Sequence, residues 1–134
     1  MPPVTEVQRR AIQQAIEAAQ HAYAPYSRYQ VGAALMTPDG QIFTGCNVEN
    51  ASYPAGICAE RGALAKAVSA GARDFALVVV ATQNGGSPCG LCRQSLLEFA
   101  PQARVLCVSF DGTVHIDSVL VELIPSGFSP RSLP

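Results

Sequence analysis

Residues 75–92 read FALVVVATQNGGSPCGLC, an apolar run followed by a loop and a pair of cysteines. The run from Phe75 to Ala81 is continuous rather than alternating, which predicts a central strand buried on both faces. Pro88 and Pro101 bracket a predicted helix over residues 89–99. No residue of the quoted stretch carries a charge. The stretch therefore predicts a buried strand that leads, through an uncharged interior, to a helix with cysteines at its start.

The flanking sequence supplies further helices and strands. Thr5 and Gln8 match a capping box, so a first helix begins here, and Pro25 ends it. The remaining predicted elements are a hairpin of residues 31–37 and 41–46, a helix at 57–70, strands at 105–109 and 114–116, and a short helix at 118–123. This order predicts the α/β class, with a mixed five-stranded sheet, helices on its faces and three layers. At 134 residues, the chain is expected to form a single domain, 1–134.

Charge and composition exclude some classes of partner. The net charge is −1, and the nine basic residues, of which only Lys66 is a lysine, are scattered along the chain. A nucleic-acid partner is therefore disfavoured, because no basic stripe is available to neutralise phosphates. Charged residues make up 14% of the chain, against roughly 25% in an average domain. Such a surface predicts an oligomer that buries apolar area between its subunits.

The cellular compartment is expected to be the cytoplasm. The five cysteines are an odd number, and two of them form a C-x-x-C pair, which suits metal binding in a reducing environment better than disulfides. The first residues lack the basic and apolar regions of a signal peptide. The apolar run of the central strand is far shorter than the ~20 residues of a membrane span, so no membrane partner is expected.

Two short motifs predict a catalytic metal. Cys58-Ala59-Glu60 is followed, 31 residues after Cys58, by Cys89 and then Cys92. Three cysteine ligands leave one position of a tetrahedral zinc open, which is typical of a catalytic site. A water in that position has its pKa lowered to about 7 and becomes a nucleophile at neutral pH. With Glu60 beside it as a proton carrier, the pattern predicts a zinc-dependent hydrolytic enzyme.

The spacing of the cysteines also predicts how the zinc is held. Cys89 and Cys92 are three residues apart at a helix start, so they lie on one face and can bind one metal. Cys58 lies near the start of the other predicted helix. Three thiolates leave a zinc complex negative, and two helix N-termini would offset that charge. Arg61 is expected to donate a further hydrogen bond to a thiolate.

Other interpretations of the cysteines remain open at this stage. The C-x-x-C pair could be a redox site, or half of a structural zinc site completed by Cys46 or Cys107. A noncatalytic, zinc-stabilised binding protein is another possibility. None of these needs a glutamate two residues after Cys58, so the catalytic interpretation is favoured. Cys46 and Cys107 are interpreted as packing residues, and the two histidines as surface or structural residues.

The motifs extend well beyond the cysteines. They comprise residues 24–27, Tyr29, residues 31–34, 45–51 and 58–61, Pro88-Cys89-Gly90, Cys92-Arg93-Gln94, Leu123-Ile124-Pro125 and Phe128. With these motifs the chain resembles the zinc-dependent nucleoside deaminases, specifically the small, all-cysteine, homotetrameric cytidine deaminases. The resemblance covers nearly the whole chain. It implies hydrolytic deamination of cytidine and 2′-deoxycytidine to uridine and 2′-deoxyuridine, with release of ammonia, in pyrimidine salvage.

The resemblance also implies a role for individual residues. One zinc per subunit would lie on Cys58, Cys89 and Cys92, with Glu60 as the catalytic proton shuttle. The implied substrate contacts are Asn47 and Glu49 to the ribose hydroxyl, Tyr29 on the sugar side of the pocket, Ala59, and Phe128 of a neighbouring subunit stacked on the pyrimidine. Tyr53 would lie near an intersubunit site. Without the resemblance, Asn47 and Glu49 would be interpreted as an ordinary polar end of a strand.

A few positions depart from the family pattern. Tyr29 stands where many members carry Phe, Gly62 stands where Thr is common, and residues 85–87 form a compact loop. Within the same chemistry, a blasticidin-type deaminase is disfavoured because residues 47–50 suit a plain ribose. A polynucleotide-editing deaminase is disfavoured because it needs a basic channel.

Overall fold

The computed structural model describes all residues, 1–134. Three α-helices and five strands are present, together with three short 3₁₀ turns at Tyr53–Ala55, Leu120–Leu123 and Pro130–Ser132. The helices are α1 (Glu6–Ala19), α2 (Ala59–Ser69) and α3 (Gly90–Phe99), and the strands are β1 (Gly32–Met36), β2 (Ile42–Cys46), β3 (Leu77–Thr82), β4 (Arg104–Ser109) and β5 (Val114–Val119).

The strands form one mixed sheet in the order β2-β1-β3-β4-β5. Only β3 and β4 are parallel, joined through α3, and every other neighbouring pair is antiparallel. All six residues of β3 are buried, and the strand lies in the middle of the sheet. The predicted central strand and the predicted five-stranded mixed sheet are therefore confirmed.

The pleat of β3 divides the core into two. Val78 and Val80 pack with α2 and α3 on one face, while Leu77, Val79 and Ala81 pack with α1 on the other. Because successive strand residues point to opposite faces, a fully apolar strand can serve both cores at once. The result is the three-layer arrangement predicted from the order of elements, with α1 alone on one side.

Element boundaries differ from the sequence-based ones where the chain makes distant pairings. The first helix has the predicted capping box at Thr5 but ends at Ala19, before Pro25. The chain leaves the helix early because the Tyr23 N–H donates to the Asn47 carbonyl, at 3.0 Å. At the other end, β5 continues to Val119, which pairs with Arg104, so only residues 120–123 form the predicted last helix, as a 3₁₀ turn.

Glycine allows α2 to pack directly on β2. A Cβ at Gly45 would lie 2.5 Å from the backbone nitrogen of Ala63 and 2.6 Å from the Ala59 carbonyl oxygen, both in α2. No side chain fits in that space, so the start of α2 lies against the backbone of β2. Gly62, on the same helix, is different: its nearest neighbour would be the Cys46 carbonyl oxygen at 3.8 Å, so a larger residue fits there. The close approach at Gly45 positions the residues at the start of α2.

None of the three helices combines the length and the apolar character that crossing a membrane requires.

Candidate metal centre

The cysteines of the two motifs meet in space. Cys58 is the N-cap of α2, Cys89 is the N-cap of α3, and Cys92 lies in the first turn of α3. The Sγ atoms of Cys58 and Cys89 are 3.9 Å apart, and those of Cys89 and Cys92 are 3.5 Å apart. All three sulfurs lie within 4.8 Å of one another. Both helix starts therefore contribute to one cluster.

Sheet topology explains why these helix starts converge. Gly32 of β1 pairs with Cys46 at the end of β2 on one side and with Ala81 of β3 on the other. The carboxyl ends of β2 and β3 thus lie at the same edge of the sheet, and α2 follows β2 while α3 follows β3. This is the edge at which α/β proteins place their ligand sites.

The sulfur geometry fits a zinc ion. With Zn–S distances of about 2.3 Å, tetrahedral ligands lie about 3.8 Å apart, and the measured separations of 3.5 and 3.9 Å bracket that spacing. Cys46 and Cys107 do not belong to the cluster. Cys107 is fully buried, and burial raises the pKa of its thiol to about 12, as expected for a packing residue. The structure therefore does not support a structural zinc site completed by either cysteine.

Hydrogen bonds within the cluster favour a thiolate on Cys58. The pKa of Cys58 is lowered to about 5. Its hydrogen bond with Cys92 contributes most to this shift, and its hydrogen bond with Arg61 contributes less. The pKa of Cys92 is raised, mainly by the same bond to Cys58, because one thiol keeps the proton that the other gives up. The Arg61 Nη2 donates to the Cys58 Sγ at 3.8 Å, while its Nε is buried without a hydrogen-bond partner. A cation beside sulfur suits an anionic metal cluster.

Glu60 is the buried carboxyl group beside the cysteines. It follows the N-cap of α2 by two residues, and only 4% of its surface is exposed. Burial raises the pKa of Glu60, because the charged form loses its hydration, and the nearby charge of Cys58 raises it further. A carboxyl group with a raised pKa is suited to accept and return a proton near neutral pH.

A cavity of about 660 Å³ opens above the cluster. Cys58, Glu60 and Cys89 lie in its wall, together with other residues from the loops at this edge of the sheet: Tyr26, Ser27, Tyr29, Val31, Asn47, Val48, Glu49, Asn50, Tyr53, Gly56, Ile57, Ala59, Arg61, Val80, Thr82 and Ser87. The volume is that of a small-molecule site. Arg61 is the only cationic residue of the wall. The cavity therefore provides few positive charges that could bind a phosphate group.

Asn47 and Glu49 line the cavity and also hold the chain that forms its rim. The Asn47 Oδ1 accepts from the Val31 N–H, and its Nδ2 donates to the Tyr29 carbonyl, both at 2.8 Å. Glu49 accepts from the N–H groups of Tyr26 and Ser27, at 3.0 and 3.1 Å, and from the Ser27 hydroxyl. The hydrogen bond from the Ser27 hydroxyl contributes most to lowering the pKa of Glu49, and the two backbone hydrogen bonds lower it further. Each side chain still has hydrogen-bonding capacity for a ligand.

The remaining candidate contacts occupy different places. Ala59 is fully buried at the start of α2 and, like Tyr29, lines the cavity. Phe128 does not line the cavity of its own chain, and 58% of its surface is exposed. Tyr53 is 75% exposed and meets the ring of Tyr26 edge-on at 6.0 Å. The binding and catalytic roles of these residues stay predictions.

Two polar residues near the site had no role in the sequence-based prediction. The hydroxyl of Tyr29 donates to the Asn84 Oδ1 at 2.7 Å. Arg93 binds the Pro88 and Leu123 carbonyls, each at 2.7 Å, and the Ser87 hydroxyl at 2.8 Å. Arg93 belonged to the Cys92-Arg93-Gln94 motif, but the sequence assigned it no contact. Nothing in the sequence singled out Asn84.

Comparisons with known proteins agree on one family. The model described as the cytidine and deoxycytidylate deaminase zinc-binding region matches residues 5–108. A cytidine deaminase of Halalkalibacterium halodurans is 45% identical over 125 residues, covering 91% of this chain and 94% of that protein. A probable cytidine deaminase of Dictyostelium discoideum is 44% identical, covering 92% and 85%. The crystal structure of cytidine deaminase from Burkholderia pseudomallei superposes with a TM-score of 0.83 at 44% identity, covering 89% and 97%.

Proposed function

The chain belongs to the cytidine and deoxycytidylate deaminase family, and we propose that it hydrolyses cytidine and 2′-deoxycytidine to uridine and 2′-deoxyuridine with release of ammonia. The observation that carries this proposal is the cluster of three cysteine sulfurs, two of which line a cavity of small-molecule size together with the buried Glu60. A redox protein or a zinc-stabilised binding module has no use for a buried carboxyl group at that place.

In this proposal Cys58, Cys89 and Cys92 hold one zinc ion per subunit. Zinc, when bound, supplies a Lewis acid that activates a water for attack on the base. The two helix N-termini and Arg61 offset the negative charge of the thiolates, so that less of the metal's electrophilic character is lost. The 3.8 Å contact from the Arg61 Nη2 to the Cys58 Sγ supports this role.

Glu60 moves the protons of the reaction. It takes one proton from the attacking water and passes it to N3 of the pyrimidine. It then takes the second proton of the same oxygen, once that oxygen is bonded to C4, and delivers it to the departing amino group. Its burial supports this assignment, since a raised pKa brings the carboxyl group closer to the pH at which it works. Because α2 is packed on the backbone of β2 at Gly45, the carboxyl group is held in place before substrate arrives.

Substrate recognition is assigned to the rim of the cavity. Asn47 and Glu49 bind the ribose hydroxyl with the donor and acceptor capacity left after they hold residues 26–31. Tyr29 and Ala59 form part of the wall. A nucleotide is a poorer substrate than a nucleoside, because Arg61, the only cation of the wall, is already directed to a thiolate.

Metal analysis combined with an ultraviolet assay tests this function. The purified protein is expected to contain about one zinc per chain and to convert cytidine to uridine. Chelation is expected to remove zinc and activity together and to expose Cys58, Cys89 and Cys92 to thiol reagents. With deoxycytidylate as the comparison substrate, kcat/KM is expected to be at least about tenfold lower, equivalent to ~1.4 kcal/mol. A zinc ligated by Cys46 or Cys107, or a zinc-loaded protein inactive on cytidine, would refute the assignment.

The assembly proposed for this enzyme is a homotetramer in which Phe128 of one subunit covers the base in the pocket of a neighbour. The small share of charged residues, 14%, and the exposed rings of Phe128 and Tyr53 support an apolar interface. Dissociation on dilution is then expected to lower specific activity while each chain keeps its zinc. Light scattering, activity and metal content measured on the same samples decide this, and a fully active, zinc-loaded monomer would contradict it.

The physiological setting follows from the same proposal. A nucleoside deaminase of this kind serves pyrimidine salvage, with no nucleic-acid or membrane partner. A cytoplasmic location is supported by five cysteines that are all free thiols. The sheet and both cores draw on residues from Ala11 to Leu120, which supports treating 1–134 as a single catalytic domain.

A further inference from the structure

The loop of residues 83–88 connects β3 to Cys89 and forms one wall of the cavity through Ser87. Two hydrogen bonds attach it to neighbouring elements. In its middle, the Gly86 N–H donates to the Thr82 hydroxyl at 2.9 Å. At its end, the Arg93 Nη2 donates to the Ser87 hydroxyl at 2.8 Å. Asn84, near the start of the loop, accepts weakly from the Thr82 hydroxyl at 3.4 Å and makes a shorter contact with a residue of the cavity wall.

That contact is the hydrogen bond from the Tyr29 hydroxyl to the Asn84 Oδ1, at 2.7 Å. Tyr29 has its ring in the cavity wall, whereas its hydroxyl donates its only hydrogen to the loop. The loop makes room for this hydroxyl with a glycine, since a Cβ at Gly86 would lie 2.8 Å from the Tyr29 oxygen. A larger residue at position 86 would therefore clash with the Tyr29 hydroxyl.

We propose that the Tyr29 hydroxyl is a positioning group: through Asn84 it anchors the loop of residues 83–88 beside the cavity and thereby strengthens nucleoside binding, without touching the substrate. The part that concerns nucleoside binding rests on the proposed function. The part that concerns loop anchoring stands on the Tyr29–Asn84 bond and the close approach at Gly86 alone.

The physical reason is conformational entropy. Gln83, Asn84 and Ser87 are exposed, and the loop contains two consecutive glycines, so its ordering is costly. Anchored by Tyr29, the loop is already ordered before substrate binds. Without the anchor, the ordering cost falls on the binding step and weakens affinity. The proton chemistry at Glu60 is unaffected by this cost, so KM should change more than kcat.

A double-mutant cycle tests the proposal. Tyr29→Phe keeps the ring and removes only the hydroxyl, and Asn84→Ala removes its acceptor. Each is expected to raise KM for cytidine about 2- to 10-fold, the effect of one hydrogen bond, with kcat changed less than about twofold. The double variant is expected to be no worse than either single variant. Tyr23→Phe, at a half-exposed tyrosine outside the cavity, is the matched control and should leave KM unchanged.

A direct substrate contact would give a different pattern. Asn84→Ala would then fail to reproduce the effect of Tyr29→Phe, and the two effects would add in the double variant. The Tyr29→Phe penalty would also disappear with a nucleoside that lacks the sugar hydroxyl concerned. Either result overturns the proposal.

Hydrogen–deuterium exchange without substrate tests the anchoring part on its own. Amide exchange in residues 84–87 is expected to become about 2- to 10-fold faster in both single variants and to stay at the wild-type rate in Tyr23→Phe. Unchanged exchange in Tyr29→Phe refutes the anchor even if cytidine is turned over. If exchange is faster in both single variants but the wild-type protein is inactive on cytidine, the anchoring role is supported and the proposed function is refuted.

Discussion

Replacing Glu60 with glutamine is expected to lower kcat/KM for cytidine by at least about 10²- to 10⁴-fold, the range for loss of a catalytic acid–base group. Glutamine has the same shape but can neither accept nor release a proton at neutral pH. Because glutamine fits the same space and Glu60 is not one of the three clustered cysteines, the variant should keep its fold and its zinc. Steady-state kinetics, together with metal content, measures both parts of this expectation.

The matched control is Glu98→Gln, the same chemical change at an exposed position of α3. It should leave the rate, the zinc content and the thermal stability close to wild type. If purified, zinc-loaded Glu60→Gln deaminates cytidine at a rate comparable with the control, the proton-shuttle assignment is wrong. If it loses zinc instead, Glu60 supports the metal centre rather than the proton transfers.

Replacing Arg104 with methionine is expected to lower the free energy of unfolding by about 2 kcal/mol, between the values for an exposed and for a fully buried ion pair. Its guanidinium binds both oxygens of Asp117, at 2.9 and 2.7 Å, and the Pro2 carbonyl at 2.6 Å. It also donates to the Gln8 Oε1 at 3.2 Å. The Arg104 side chain is 11% exposed and that of Asp117 is 24% exposed, so the loss of Arg104 leaves a partly buried carboxylate without its partner.

Urea denaturation of the wild type and the variant measures this difference. Arg9→Met is the matched control, since Arg9 faces Glu6 at 3.9 Å with 66% of its side chain exposed, and an exposed pair contributes little. A change in Arg104→Met no larger than in Arg9→Met would contradict the expectation. Such a result would mean that the packing of the methionine compensates for the lost ion pair.

The contribution of Arg104 is also expected to depend on pH. Its hydrogen bonds hold the pKa of Asp117 below the ordinary value. A carboxyl group with a lowered pKa in the folded state stabilises the protein above the pKa of the unfolded state, and that stabilisation is lost as the pH falls through the folded-state pKa. The difference in free energy of unfolding between wild type and Arg104→Met should therefore have its largest value at pH 7. It should be smaller near pH ~3, below the usual pKa of an aspartate.

Much of the fold could be predicted because its signals are local. The apolar run at 75–81 and the capping box at Thr5 depend on nearest neighbours and on side-chain period, which the sequence displays directly. Boundaries were wrong where a distant partner decides them. The first helix ends at Ala19 because Tyr23 pairs across the molecule, and β5 extends to Val119 because β4 offers a partner there.

By itself, the sequence determined most of the secondary-structure elements and the candidate metal ligands. Cys89 and Cys92 form a local pair whose separation is set by the start of α3. Glu60 lies two residues after Cys58, so the start of α2 sets its position relative to that cysteine. Tertiary structure decided what those residues meet. The two helix starts converge because the carboxyl ends of β2 and β3 share one edge of the sheet. The Tyr29–Asn84 bond, which joins residues 55 positions apart, and the Arg104–Asp117 pair form only once loops and strands are packed, because no local pattern encodes such contacts.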